Sequence, residues 1–83
     1  MFSADRIREI LLRELPDCQA VVVDDVNDGE HFTAEVTSSA FDGKNLVQQH
    51  QHVYRALGDF MRRDIHALAL KTYPPALWPH GEK

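Results

Sequence analysis

IHALALKTY, from Ile65 to Tyr73, is the stretch on which the fold turns. A histidine stands second in it, apolar residues run through it, and Pro74 and Pro75 close it, so Ile65 to Lys71 reads as a β-strand. Its alternation sets His66 in phase with Leu68 and Leu70, opposite Ile65, Ala67 and Ala69. An imidazole held at a strand end is where a partner or a metal can reach it, which makes His66 the first candidate for any chemistry the chain has. Ahead of this strand lies a long helical pattern carried by Leu46, Val47, His50, Val53, Tyr54, Leu57, Phe60 and Met61, read as the main core helix. Gly58 costs about 1 kcal/mol against alanine inside a helix, so the element is expected to bend or split there.

Further back, Ala20 to Val23 is a β-rich run, and His31 to Thr37 alternates Phe32, Ala34 and Val36 on one face with His31, Thr33, Glu35 and Thr37 on the other. The turn-prone segment Asp24 to Glu30, with Asn27, Asp28 and Gly29, joins them as an antiparallel hairpin. Ser3 is a candidate N-cap for a first helix carrying Ile7, Ile10, Leu11 and Leu15, with Asp5 in its first turn, and Pro16 ends that helix near Glu14. Phe41 to Lys44 reads as a turn, Ala76 to Trp78 as one helical turn with the indole packed back on the body, and the tail from Pro79 as frayed. The order helix, strand, strand, helix or split helix, strand predicts a two-layer α+β domain, a three-stranded sheet with helices packed on one face.

With 83 residues, one domain over positions 1–83 is expected, since a chain this short does not support two cores. The apolar share of 43% and charged share of 27% are those of an ordinary globular protein, and no run approaches the length of a membrane span. The first twelve residues, MFSADRIREILL, lack the features of a secretory signal, which makes the cytoplasm the expected compartment. Cys18 stands alone, cannot form an internal disulfide, and reads as a small, partly buried apolar residue. The net charge of -4 disfavours strong non-specific binding to phosphate backbones.

Three segments, GEHF at Gly29 to Phe32, FDGKNLVQQHQHVY at Phe41 to Tyr54 and IHALALKTYPPALW at Ile65 to Trp78, together resemble the BolA-like family. That resemblance implies a fold similar to the type II KH domain. It also implies partnership with monothiol glutaredoxins, in a heterodimer that holds a 2Fe–2S cluster between the two proteins, with glutaredoxin and glutathione supplying thiolates. Carried over by residue, His66 matches the family's C-terminal histidine and His31 is the second choice, since the loop from Asp24 to Glu30 offers no histidine or cysteine of its own. Asp28 and Glu30 are poorer substitutes, because carboxylate oxygen suits iron–sulfur iron less well than imidazole. Where the family shows a His-Arg pair in the main helix, this chain reads His50-Gln51, which removes a positive charge and weakens the alternative role, a nucleic-acid-binding transcriptional regulator using the KH-like surface. Stress response, transcription regulation and a monomeric or weakly homodimeric state without the partner complete what the likeness implies.

Other residues divide between plain and functional readings. Lys44, Arg55, Arg62, Arg63 and Lys71, with Tyr73 nearby, are a candidate basic surface for a partner or a nucleic acid, or else a solvated face paired with Asp59 and Asp64. His50, on the apolar stripe of its helix, reads as hydrogen-bonded structure, His52 as surface, and His80 as a tail residue without a role. The glycines supply no GXXG tetrad of the kind KH domains clamp nucleic acid with, and no nucleophile–base–acid set, paired carboxylates or phosphate-binding loop marks an enzyme.

Overall fold

The computed structural model describes residues 2–65 and 67–80. Helix α1 (Ala4–Glu14) starts where Ser3 Oγ accepts the Arg6 amide at 3.0 Å, with Asp5 in the first turn and Arg13 in the last to suit the helix dipole. Its buried stripe is Ile7, Ile10 and Leu11, and Leu15 is buried just beyond its end. Strands β1 (Gln19–Asp24) and β2 (His31–Thr37) form the expected antiparallel hairpin, with Ala20 opposite Val36, Val22 opposite Ala34 and Asp24 opposite Phe32. A 3-10 turn at Ser39–Phe41 follows, tied down by the Ser38 hydroxyl, which donates to the Pro16 carbonyl at 2.6 Å and accepts the Ala40 amide. Phe41 is fully buried behind it.

Helix α2 (Leu46–Leu57) opens on a reciprocal cap, in which Asn45 Oδ1 accepts the Gln48 amide at 2.8 Å and Gln48 Oε1 accepts the Asn45 amide at 3.0 Å. Gly58, at φ +57°, ends α2, and α3 (Asp59–Arg63) restarts at once, so the helical run splits where glycine was expected to split it. Strand β3 (Ala67–Tyr73) then lies parallel to β2, in register from His31 opposite Ala67 to Thr37 opposite Tyr73. The sheet order is β1-β2-β3. Helices α1 and α2 pack on one face against Ala20, Phe32, Ala34 and Val36, while Val21, Val23, Ala69 and Lys71 are exposed on the other.

Several expectations need correction. The strand after the helices is described over Ala67–Tyr73, so it extends past Lys71 and leaves out Ile65, which is buried in the core and donates its N–H to the Phe60 carbonyl. On α2, Leu46 and Val47 are not core but 61% and 66% exposed. The buried stripe is Gln49, Val53 and Leu57, spaced by one helical turn; Gln49 donates from Nε2 to the Lys44 carbonyl at 2.8 Å, while its Oε1 has no hydrogen-bond partner among the described residues. His52 falls on the same side and is half-buried edge-on to Phe41, centroids 6.1 Å apart, instead of lying on the surface. Cys18 is half-buried, as expected, and burial pushes its thiol up to about 11.

The two leucines of α2 give a direct check on this packing. Leu57→Ala, at a site 1% exposed, should lower stability by about 2–5 kcal/mol in urea unfolding. Leu46→Ala, far from the core, should change it by less than about 0.5 kcal/mol.

Candidate functional site

The hairpin connection is organised by carboxylates. Asp24, at the end of β1, accepts the Asp28 amide through Oδ1 at 3.1 Å and the Gly29 amide through Oδ2 at 2.8 Å. Asp28 in turn accepts the Glu30 and His31 amides through Oδ1, at 2.9 and 3.1 Å. Asn27 and Gly29 take left-handed backbone, φ +58° and +72°, which lets the chain curl around these two side chains. The Asp25 amide closes the loop on the His31 carbonyl at 3.0 Å.

His31 emerges from this loop as the first residue of β2, half-exposed, with its Nδ1 donating to Asp28 Oδ2 at 2.7 Å. Asp28, Glu30 and His31 bring one ligand atom each to within 4.8 Å of one another. The Asp28 carboxylate holds the ring in one orientation, so that in the neutral imidazole Nε2 carries the lone pair. The same hydrogen bond, ahead of the nearby carboxylates, raises the His31 pKa, and it is the largest cause holding Asp28 down at about 2. His66 lies outside the described residues; its chain neighbour Ala67 is the register partner of His31 and donates its N–H to the Glu30 carbonyl at 2.9 Å.

The proposed basic surface is spread over separate places. Arg62 and Arg63 are exposed at the end of α3 and line one cleft with Phe2, Gly29 and Glu30, and Arg62 pairs with Asp59. Arg55 sits beside Glu14 and His52, and exposed Lys44 precedes α2. Lys71 and Tyr73 belong to a different groove, with His50. Sequence reasoning missed the contact that crosses the open sheet face: the Tyr73 hydroxyl donates to Glu35 Oε2 at 3.4 Å, His80 Nε2 pairs with Glu35 Oε1, and Trp78 stacks edge-on to both Tyr73 and His80. His80, set aside as a tail residue, is thus docked on the sheet. Glu35 sits near the centre of its strand on the solvent face, a position that does not single out His80 as its partner.

The His31–Asp28 pair predicts a pH window. His31, whose pKa is raised, contributes stability that is fully present below 6.5 and is lost as pH rises through the raised value. Asp28, whose pKa is lowered, contributes stability present above 3.8 that is lost as pH falls toward about 2. The difference in urea midpoint between the wild type and Asp28→Asn should therefore be largest between those two pH values. In an NMR titration, Asp28→Asn should bring the His31 ring back down toward 6.5.

A BolA-like protein family model matches residues 17–76. The structure of a bolA protein homologue from Coxiella burnetii superposes with a TM-score of 0.79 at 36% identity, covering 92% of this chain and 95% of that one. The acid stress protein IbaG of Escherichia coli is 37% identical over 68% of this chain and 68% of its own length. The DNA-binding transcriptional regulator BolA of Haemophilus influenzae is 35% identical over 64% of this chain and 58% of its own length. Relatives differ in size: the chain spans 91% of one and 23% of another. Among the described residues no helix is long and apolar enough to cross a membrane. With the α+β architecture, the hairpin motif and the parallel third strand all in agreement with these matches, the chain belongs to the BolA-like family.

Proposed function

We propose that this chain is a non-enzymatic partner of a monothiol glutaredoxin, completing a bridging 2Fe–2S cluster through His66 and His31 for iron–sulfur trafficking or iron and redox sensing. One observation carries the reading: His31 stands at the first position of β2 with Nδ1 on the Asp28 carboxylate, the arrangement by which ligating histidines are oriented and made more basic. Strand pairing supports the choice of second ligand, because Ala67, the residue after His66 in the chain, is the register partner of His31.

The donor chemistry fits the cluster. Neutral imidazole is an accepted substitute for thiolate on iron–sulfur iron, whereas the carboxylates of Asp28 and Glu30 are hard donors better suited to orienting than to ligating. Bound between the two proteins, the cluster would supply one-electron redox chemistry at a potential raised by imidazole ligation. The part of this chain is to present two nitrogens, hold the His31 ring through Asp28, and release its proton on binding, since protonated imidazole has no lone pair to give.

The alternative is a nucleic-acid-binding transcriptional regulator. It draws on the name of the Haemophilus relative and on Arg62 and Arg63, which share one cleft. Against it, Arg62 is already paired with Asp59, the net charge is -4, and the turn at Gly58 offers no GXXG tetrad.

Mixing the purified chain with glutaredoxin, glutathione, iron and sulfide should give visible absorption and dichroism spectra distinct from those of the glutaredoxin homodimer. His66→Ala should abolish the difference and His31→Ala should diminish it; a spectrum unchanged by His66→Ala removes that residue from the ligand set. A complex that forms without iron would identify a cluster-free adaptor. Promoter binding that weakens steeply with salt and depends on Arg62 and Arg63 would favour the regulator.

A further inference from the structure

Strand β3 is an edge strand: β2 flanks one side, and among the described residues no strand lies on the other. In the parallel ladder the Ala67 N–H donates to the Glu30 carbonyl, and alternate residues follow, so Ala67, Ala69, Lys71 and Tyr73 turn their backbone groups toward β2. Leu68, Leu70 and Thr72 turn theirs away from the sheet. Along this edge, toward the C-terminal end of β3 and away from Ala67, runs a groove of about 440 Å³. Leu46 and His50 of α2, Leu70 and Thr72 of β3, and Leu77 wall it, and Lys71 lines it too. Leu46 and Leu77 are 61% and 67% exposed, and the His50 ring lies edge-on to Tyr54 at 6.5 Å. Thr72 is buried, yet its hydroxyl has no hydrogen-bond partner among the described residues.

We propose that this edge and groove take up an extended peptide from a partner protein as a fourth strand. Its alternate apolar side chains seat against Leu46, Leu70 and Leu77, and a carboxylate side chain meets Lys71. The unpaired strand edge specifies the occupant, because only another extended backbone offers donors and acceptors at the spacing of Leu68, Leu70 and Thr72. Packed helix or small apolar ligand would leave them unmet. Among the described residues the lining holds one formal charge, Lys71, and no carboxylate, which favours an acidic peptide. A second copy of this chain would bring another lysine to the same edge, like charge against like.

The test uses the full chain, isotope-labelled, and a blocked octapeptide alternating glutamate and valine. The amides of Leu68, Leu70 and Thr72 should shift and exchange with solvent at least about tenfold more slowly with peptide bound, while those of Ala69 and Lys71, already bonded to β2, should not slow further. Leu46→Glu and Lys71→Glu change exposed side chains and keep the fold, and each should weaken binding about tenfold, or ~1.4 kcal/mol. An octapeptide alternating lysine and valine should bind more weakly than the acidic one. No shift at millimolar acidic peptide would overturn the proposal, as would shifts confined to Val21, Val23 and Ala69 on the open face. Protection of Leu70 and Thr72 that grows with concentration of the protein alone would assign the edge to a second copy and overturn it equally.

Discussion

The parallel pairing of β2 with β3 is the constraint on which the rest of the molecule depends. Parallel neighbours cannot be joined by a tight turn, so the chain from Ser38 to Ile65 has to cross over one face of the sheet, and it carries α2 and α3 there. With that face covered, β2 becomes the central strand and its inward residues Phe32, Ala34 and Val36 become the floor of the core. The same pairing brings the start of β3 beside His31, at the end of the sheet where the hairpin loop emerges. Core and candidate site are thus two outcomes of one register.

At that end the sheet offers little burial, and order comes from side-chain to backbone hydrogen bonds. Asp24 holds the amides of Asp28 and Gly29, and Asp28 holds those of Glu30 and His31 together with the imidazole. Negative charge is concentrated beside His31, which raises the proton affinity of the ring and sharpens competition between a proton and any metal for it. The far end of β3 is built on the opposite logic, an apolar groove beside a strand edge that no other strand flanks among the described residues. One strand therefore separates a polar, carboxylate-rich rim from an apolar one.

Most of the fold was legible because each element carries a signal whose cause is local. Ser3 caps α1, Pro16 stops it, strict alternation bounds β2 at His31 and Thr37, and Gly58 divides the helical run. Where the reading missed, the deciding term was tertiary. Apolar residues at Leu46 and Val47 match a helical period as well as Gln49 does, and only the way α1 and β3 pack on α2 selects the stripe that is buried. Ile65 belongs to the apolar run by composition but to the core by position, so it stands outside the strand. His31 was readable as a candidate ligand, whereas Asp28 was weighed only as a rival donor, since its part as the carboxylate behind the imidazole depends on how the loop curls at Asn27 and Gly29. The contact of His80 with Glu35 spans half the chain and leaves no periodic trace in sequence.

The carboxylate lattice of the hairpin has one more consequence, for chemical ageing. Among aspartyl dipeptides, aspartate followed by glycine is the most prone to cyclise to a succinimide and reopen as isoaspartate, because the glycine nitrogen attacks the side-chain carboxyl carbon with no side chain of its own in the way. Here the Gly29 nitrogen is held by Asp24 at 2.8 Å and both oxygens of Asp28 are engaged by Glu30 and His31, so nucleophile and electrophile are each committed to other partners. Folding thereby shields the bond between Asp28 and Gly29 from a lesion that would insert a methylene into the main chain immediately before the strand that bears His31.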